Sequence, residues 1–359
     1  MFFNYQKIVV KVGSNVITKS NGLPNTERIA QLVTQIAQLK KKGIEVILVS
    51  SGAVASGRSL IKPQGKQDAV ASRQLLAAIG QVKLINTYKK YFAEHQQLCA
   101  QVLVTKEDFR DRVHYLNMKN CINILLENGV IPVVNENDVV AVTELMFTDN
   151  DELAGLIAAM MNADSLFILS NVDGIYDGDP KQEGSKVITK VNQATPQLSS
   201  YISTGKSEFG RGGMLTKCAI ALKVAKLGIQ VHIMNGTTDD ILLKVLADKA
   251  VHTHFEAQHQ KSETKKWIAN AETAATGEVV LNQGAKTVIS SGKAASLLPV
   301  GIIAVRGNFK TGDIIKLLDE EQQLIGLGLA KYGSDKARER LGQKNQRPLV
   351  HYDYLYTIN

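Results

Sequence analysis

Apolar positions along the first 250 or so residues form short strand-like runs separated by longer stretches with helical periodicity. The strand-like runs cover residues 7–12, 44–49, 100–104, 130–134, 165–169 and 229–234. Between the first two runs, a helix that can begin at Thr26 carries one apolar face, formed by Ile29, Leu32, Val33, Ile36 and Leu39. This alternation predicts a mostly parallel sheet with helices on both faces.

The pattern changes near residue 255. Residues 258–266 are polar and show no apolar period, and short β-type runs separated by glycine turns follow at 277–281 and 301–305. The sequence therefore predicts a first domain over residues 1–255, a linker over 256–275 and a small, mainly β second domain over 276–355.

Composition supports two globular domains, because 359 residues exceed what one core usually serves, with 44% apolar and 21% charged residues. The net charge of +8 suits either nucleic acid or small anionic substrates. Residues 261–359 carry 14 basic and 10 acidic residues and the rest of the chain carries 28 and 24, so each part has a charge of +4. No basic arm stands out, which leaves RNA binding unsupported.

The sequence gives little support for a metal site or for disulfide bonds. Cys99, Cys121 and Cys218 are too few for a disulfide framework and too dispersed for a metal motif, and each is predicted to be a small buried hydrophobe. His252 and His254 would share one face of a strand, but no third ligand lies nearby, so they are predicted to be surface or interface residues. No metal-ligating residue is predicted.

The N-terminus enters a strand-like run at residue 7, which leaves no room for a secretion signal. No apolar run approaches the roughly 20 residues that a membrane span needs. A cytoplasmic protein is expected.

Candidate chemistry lies just after the predicted strands, where ligands of open α/β sheets bind. Lys11 stands at the end of the first strand, followed by Gly13. On its own, a lysine at this place is usually a solvated charge. The second strand ends in Ser51 and Gly52, which suit a tight turn and a ligand lying against the backbone equally well.

Acidic and amide side chains cluster in residues 135–138 and again in 148–152. Helix capping explains one or two such residues but not two dense clusters. A free amino acid as substrate supplies a reason, because its ammonium needs carboxylate or amide acceptors and its α-carboxylate needs N–H donors.

A glycine-rich turn at 210–213 opens a predicted helix with Lys217 one turn inside. Its backbone amides would hold phosphate oxygens, and Lys217 would offset charge on a transferred phosphoryl group. The turn is neither a Walker A loop, because Ser200 stands where the first glycine is required, nor a dinucleotide motif, because Leu215 occupies the last glycine position.

Taken together, residues 11–14, 51–53, 135–138, 149–151 and 212–217 resemble, in order and spacing, the glutamate 5-kinases of the amino acid kinase family. The tail, with residues 266–268, 296–299, 307–309 and 312–313, resembles the PUA domain. The resemblance implies an open αβα sandwich with a mostly parallel sheet, plus a small mainly β PUA domain. It also implies transfer of phosphate from ATP, with Mg²⁺, to the side-chain carboxylate of L-glutamate, the first step of proline biosynthesis.

Carried over residue by residue, the resemblance implies catalytic roles for Lys11, Lys217 and Asp151. The implied substrate-binding residues are Ser51, Gly52, Asn135, Asp138, Asp149 and Asn150. The implied nucleotide-binding residues are Lys11, Ser170, Asn171, Arg211, Gly212, Gly213, Met214, Leu215, Thr216 and Lys217. Asn171 departs from the family, in which an acidic residue is common. Asp151 either orients the lysines or belongs to the glutamate pocket.

The resemblance further implies feedback inhibition by proline, assembly into homodimers or homotetramers, and transfer of the labile product to a glutamyl phosphate reductase. Two alternatives stay open. One is a sibling kinase acting on aspartate, acetylglutamate, carbamate or a nucleotide, although the clusters at 135–138 and 149–151 favour free glutamate. The other is an RNA-binding or RNA-modifying protein that works through its PUA domain.

Overall fold

The computed structural model describes residues 4–63, 68–141, 147, 149–179, 182, 184–192, 213–258, 262–291 and 294–358. The chain divides into two compact units, of which the first comprises residues 1–108 and 113–260 and the second residues 109–112 and 261–359. Helix α10, Glu263–Asn270, lies within the predicted linker.

The first unit is built on an eight-stranded sheet in the order β3-β4-β2-β1-β5-β7-β8-β6. Six strands are parallel, while β8 runs antiparallel to β7 and parallel to β6. The strands are β1 Lys7–Val12, β2 Glu45–Ser50, β3 Cys99–Val104, β4 Ile131–Glu136, β5 Ser165–Ser170, β6 Lys190–Val191, β7 Gln230–Asn235 and β8 Thr253–Phe255. The six predicted strands agree with six of these to within two residues, and the mostly parallel sheet is confirmed.

Helices cover both faces of this sheet. They are α1 Ser14–Ile17, α2 Thr26–Lys41, α3 Ala53–Arg58, α4 Ala69–Glu94, α5 Lys106–Arg110, α6 Arg112–Glu127, α7 Asn150–Met160, α8 Met214–Lys226 and α9 Ile241–Leu246. Helix α2 begins at Thr26 as predicted, but its cap is Asn25, whose side chain accepts from the Arg28 amide. Asparagine caps well because its side-chain oxygen satisfies an amide that the first turn leaves unpaired.

Strand β1 runs through the middle of the core and separates its two faces. Ile8, Val10 and Val12 pack with the apolar faces of α2, α4 and α9. Because side chains alternate along a strand, Val9 and Lys11 point to the opposite face, where α7 packs on β1 and β5. A buried lysine, Lys11, therefore projects toward the side of α7.

The chain order reverses at β1. Strands β2, β4 and β3 lie on one side of β1, and the later strands β5 and β7 lie on its other side. In open α/β sheets, ligands bind beyond the carboxyl ends of the strands at such a switch point. The loops after β2, β4, β5 and β7 therefore border the expected ligand site.

The second unit contains a five-stranded sheet in the order β10-β9-β11-β12-β13, antiparallel except for the β9–β11 pair. Its elements besides α10 are β9 Gly277–Leu281, α11 Gln283–Ser290, β10 Ile302–Gly307, β11 Ile314–Leu318, β12 Leu324–Leu329, α12 Ser334–Glu339 and β13 Leu355–Thr357. Its own core includes Leu281, Leu317 and Val350. The predicted small, mainly β domain is confirmed.

Two predictions about single side chains were wrong. Cys121 is exposed on α6, whereas Cys218 is buried and Cys99 lies between these extremes. His252, directly before β8, is buried rather than at the surface, and its ring lies 5.0 Å from that of His232 in β7.

Among the described residues, no group of three His, Cys, Asp or Glu side chains could hold a metal ion. Within the same residues, no helix is long and apolar enough to cross a membrane.

Candidate active site

A buried carboxylate joins two lysines at the switch point. Asp151, in the first turn of α7, contacts Lys11 Nζ of β1 at 2.5 Å through Oδ1 and Lys217 Nζ of α8 at 2.9 Å through Oδ2. The Asp151 side chain is 0% exposed, and those of Lys11 and Lys217 are 6% and 12% exposed. The structure therefore brings the three predicted catalytic residues together.

The lysines keep Asp151 ionised. Burial by itself would raise the pKa of this carboxyl, but the ammonium groups of Lys11 and Lys217 outweigh it and lower the pKa to about 2. The triad of Lys11, Asp151 and Lys217 thus holds two ammonium groups at one fixed place, which suits an incoming phosphate group.

Asp149 fixes the start of α7. Its Oδ1 accepts from the amides of Asp151 at 2.9 Å and Glu152 at 3.1 Å. Its Oδ2 is buried and has no hydrogen-bond partner among the described residues. Burial and the charge of Asp151 raise the pKa of Asp149 to about 6, against the lowering effect of Lys11 and Lys217. The capping function is clear, and a buried oxygen remains available to a cation.

Asn150 links three chain segments. Its Nδ2 donates to Ser50 O at 3.2 Å, to Ser51 Oγ at 2.9 Å and to Asn135 Oδ1 at 3.1 Å. The ends of β2 and β4 are thereby tied to the first residue of α7. Three of the predicted substrate-binding residues, Ser51, Asn135 and Asn150, therefore form one hydrogen-bonded cluster.

The turn after β2 needs a glycine. Gly52 has φ of +103°, and a Cβ there would lie 2.9 Å from Ile17 Cδ1. The amide of Ser51 donates to Val12 O at 3.1 Å, so it belongs to the strand ladder and is not a donor for substrate. Gly52 therefore shapes the turn after β2 through its backbone conformation.

Asp138 has a partner that the sequence did not reveal. Arg73 of α4 donates through Nε to Asp138 Oδ1 at 2.9 Å, its Nη2 also contacts Asp138 Oδ1, and Nη2 reaches Glu136 Oε2 at 3.1 Å. The other Glu136 oxygen accepts from the Phe147 amide at 2.9 Å. Burial raises the pKa of both Glu136 and Asp138, and Arg73 opposes this effect. A single arginine within a helical sequence looks solvent-exposed, so no pattern signalled it.

The ends of β5 and β7 form a second polar cluster. Ser170 pairs with Asn235 across the strands, and Ser170 O accepts from the Gly236 amide at 2.8 Å. Asn235 Nδ2 donates to Asp173 Oδ1 at 3.0 Å, three residues beyond Ser170. Asn171 directly follows β5. Two of the predicted nucleotide-binding residues thus lie at the opposite side of β1 from the Asn150 cluster, and Asp173 and Asn235 were missed.

Helix α8 begins at Met214 with Gly213 as its cap, and a glycine has no side chain with which to cap the first amides. Among the described residues, a Cβ on Gly213 would meet nothing within 4 Å. Leu215 is exposed, and Thr216 lies beside Lys217 in the first turn. Uncapped amides at a helix start attract phosphate oxygens. Arg211 and Gly212, also predicted here, lie outside the described residues.

Comparison with known protein families gives two matches. The model of the amino acid kinase family matches residues 6–235, and that of the PUA domain matches residues 277–351. The carbamate kinase of Giardia lamblia bound to AMP-PNP superposes with a TM-score of 0.50 at 18% identity, covering 70% of this chain and 99% of that one. At that identity, the likeness speaks for the fold alone.

Curated relatives match along nearly the whole chain. The glutamate 5-kinase of Bacteroides thetaiotaomicron is 53% identical over 355 residues, which is 98% of each chain. That of Chlorobaculum tepidum is 51% identical over 355 residues, 99% of this chain and 98% of that one. That of Thermoanaerobacter sp. is 39% identical over 97% of this chain and 94% of that one. The chain therefore belongs to the amino acid kinase family, with a PUA domain at residues 277–351, and the full-length relatives named above are glutamate 5-kinases.

Proposed function

We propose that this chain transfers the γ-phosphoryl group of ATP to the side-chain carboxylate of L-glutamate, giving L-glutamyl 5-phosphate and ADP, the first step of proline biosynthesis. The observation that carries the proposal is the buried triad of Lys11, Asp151 and Lys217 at the switch point of the sheet. The names of the full-length relatives support glutamate as the acceptor.

The chemistry requires positive charge rather than a base. A carboxylate is already ionised at neutral pH, so no proton has to be removed before it attacks. Its charge and those of the phosphates repel each other, and the enzyme has to offset this repulsion and hold the reactants in line. Lys11 and Lys217 offer two ammonium groups at one place, and Asp151 keeps both in position before ATP arrives.

The transfer itself is a direct displacement. A γ-carboxylate oxygen of glutamate forms a bond to the γ-phosphorus of ATP while the bond from that phosphorus to the β–γ bridging oxygen breaks, and ADP leaves with that electron pair. Lys217 and the first amides of α8 stabilise the equatorial and leaving oxygens. Lys11 approaches from β1 and draws the acceptor carboxylate toward the phosphorus.

Substrate is bound by the clusters on the β2 and β4 side. The hydroxyl of Ser51 and the amides of Asn135 and Asn150 offer polar contacts close to the triad. Asp138, held by Arg73, offers a carboxylate oxygen to the substrate ammonium. On the other side of β1, Ser170, Asn171 and α8 hold the nucleotide.

If Mg²⁺ accompanies ATP, few protein oxygens would be needed to hold it, because this ion usually keeps phosphate oxygens and water as ligands. The buried Oδ2 of Asp149, which has no hydrogen-bond partner among the described residues, is the protein oxygen that fits it. When bound, Mg²⁺ supplies additional positive charge to the phosphates. The prediction that Asp149 binds substrate stays a prediction.

Four further expectations belong to the same proposal. They are inhibition by proline in the glutamate pocket, assembly into homodimers or homotetramers, transfer of the acyl phosphate to a glutamyl phosphate reductase, and a cytoplasmic location. An acyl phosphate hydrolyses readily, which favours a partner that consumes it quickly.

The test is to trap the product. Incubation with MgATP, L-glutamate and hydroxylamine converts an activated γ-carboxyl to a coloured hydroxamate, with aspartate and acetylglutamate as control acceptors. We expect trapping that depends on glutamate and is lost in Lys217→Ala. Trapping with a control acceptor but not with glutamate would assign a sibling reaction, and trapping with none would reject the kinase proposal.

A further inference from the structure

Arg73 contacts two acidic residues at the end of β4, Glu136 and Asp138. It lies in the second turn of α4, and its side chain is 23% exposed, while those of Glu136 and Asp138 are 5% and 7% exposed. A guanidinium held by two nearly buried carboxylates has a fixed orientation, because its planar fork engages both of them.

The contacts of this ion pair do not involve all of its polar atoms. Nε and Nη2 of Arg73 carry its contacts to Asp138 and Glu136, and all of the Asp138 contacts go to Oδ1. Within the described part of the chain, Nη1 of Arg73 and Oδ2 of Asp138 have no hydrogen-bond or ion-pair partner. The pair therefore offers a cationic donor next to an anionic acceptor.

That arrangement is complementary to the head group of an α-amino acid, which carries an ammonium and a carboxylate on one carbon. The other cations at this edge have different partners. Lys11 and Lys217 hold Asp151, and Lys106 contacts Glu152 at 3.1 Å. The Ser51 amide belongs to the strand ladder. Arg73 is thus the described donor best suited to the α-carboxylate.

We propose that Arg73 is a specificity-determining residue that binds the α-carboxylate of L-glutamate through Nη1, while Oδ2 of Asp138 binds the ammonium. This inference rests on the proposed function, since it names how that same pocket selects its acceptor. The head group then lies against α4 and the loop after β4, and the γ-carboxylate points toward Lys11. Acceptors that lack the α-carboxylate should be poor substrates.

The test compares glutamate with 4-aminobutyrate, which keeps the ammonium and the acceptor carboxylate but lacks the α-carboxylate. The measured quantity is the ratio of kcat/KM for glutamate to kcat/KM for 4-aminobutyrate, determined by hydroxamate formation. Where 4-aminobutyrate is not turned over, its inhibition constant against glutamate replaces its kcat/KM. Both acceptors carry the ammonium that Asp138 would bind. A displacement of the Asp138 side chain in an Arg73 variant should therefore change both kcat/KM values alike and cancel in their ratio.

In Arg73→Gln, we expect the ratio to fall by about 10- to 100-fold, the usual worth of a hydrogen bond to a charged group. Arg73→Lys keeps the charge but loses the fork, so its ratio should lie between those of the wild type and Arg73→Gln. Lys106→Gln is the matched control, because it removes a cation from the same edge. Its ratio should stay within about twofold of the wild-type value.

Three results would overturn the inference. The first is a ratio in Arg73→Gln that stays at the wild-type value although both rates fall, which is the outcome of a purely structural role. The second is a collapse of the ratio in Lys106→Gln, which would assign the α-carboxylate to Lys106. If Arg73→Gln is inactive with both acceptors, the third result is a ratio in Arg73→Lys that equals the wild-type ratio. Failure of the proposed function is recognised separately, as absence of glutamate hydroxamate with the wild-type protein.

Discussion

Replacing Asp151 by asparagine removes the anion that two buried lysines share. The new side chain has nearly the same size, but it accepts from one ammonium at most and turns an N–H₂ group toward the other. Lys11 and Lys217, only 6% and 12% exposed, would then lose the carboxylate that both of them contact. The variant therefore tests the electrostatic role of the triad with little change in packing.

The expected loss of stability follows from the burial of the triad. Removing one partner of a buried ion pair costs about 3–5 kcal/mol. The pKa of Asp151, lowered from 3.8 to about 2, corresponds to about 2–3 kcal/mol at roughly 1.4 kcal/mol per unit. Because the folded-state pKa is the lower one, this contribution is complete above about pH 4 and is lost as the pH falls through about 2. We expect the free energy of unfolding of Asp151→Asn to fall by about 3 kcal/mol at neutral pH, which lowers Tm by roughly 6–12 °C.

Thermal unfolding measured with and without ATP provides the assay. Phosphate oxygens would supply the missing negative charge, so ATP should raise Tm more in Asp151→Asn than in the wild type. Glutamate-dependent turnover should fall by about 100-fold, because the lysines are no longer held in position. Glu152→Gln is the neighbouring control, since its contact to Lys106 is part-exposed and should contribute less than about 1 kcal/mol.

The reasoning would be refuted by an Asp151→Asn protein that unfolds at the wild-type temperature and gains no more from ATP than the wild type. A second check is the double variant with Lys217→Met. Removing one of the two repelling lysines should restore part of the lost stability. Additive losses would show that the two residues do not interact.

Three other predictions address single features. Lys217→Met should lower kcat by about 100- to 1,000-fold with a smaller effect on the KM for glutamate, in steady-state kinetics; an equal loss in Lys226→Met, at the other end of α8, would contradict a specific role. Gly52→Ala should lower the free energy of unfolding, measured in urea, by about 1–3 kcal/mol and raise the KM for glutamate. Gly22 also has a positive φ but lies in open space, so Gly22→Ala should leave that KM unchanged. Because Asp149 is protonated below and ionised above its pKa of about 6, kcat/KM should rise with pH through this value; the same rise in Asp149→Asn would assign it to another group.

The sheet was predictable because its central strands, such as β1, β4 and β5, are buried on both faces and read as continuous apolar runs. The predicted and observed bounds of β1 are identical, and those of β5 differ by one residue. The site followed from the same pattern, since carboxyl ends of parallel strands meet at one edge. Residues at or just after strand ends, such as Ser51 and Asn135, could therefore be grouped before their contacts were seen.

Other features depend on contacts that no local pattern encodes. Strands β6 and β8 comprise two and three residues, too few for any periodicity. Arg73 reaches Asp138 across 65 residues of sequence, and nothing in α4 distinguishes it from a solvated arginine. The choice between two roles for Asp151 depended on where α8 lies, and its contacts with Lys11 and Lys217 favour the role of orienting the lysines.

Three consecutive residues at the start of α7 serve three different neighbours. Asp149 caps the helix, Asn150 ties together the ends of β2 and β4, and Asp151 holds both lysines. Since neighbouring residues on a helix are about 100° apart, all three directions are set by one backbone. A change in the tilt of α7 would displace the acceptor pocket and the charge site together. Evolution or design of a new acceptor preference is therefore easier through Arg73 and α4, where a side chain can change without moving the lysines.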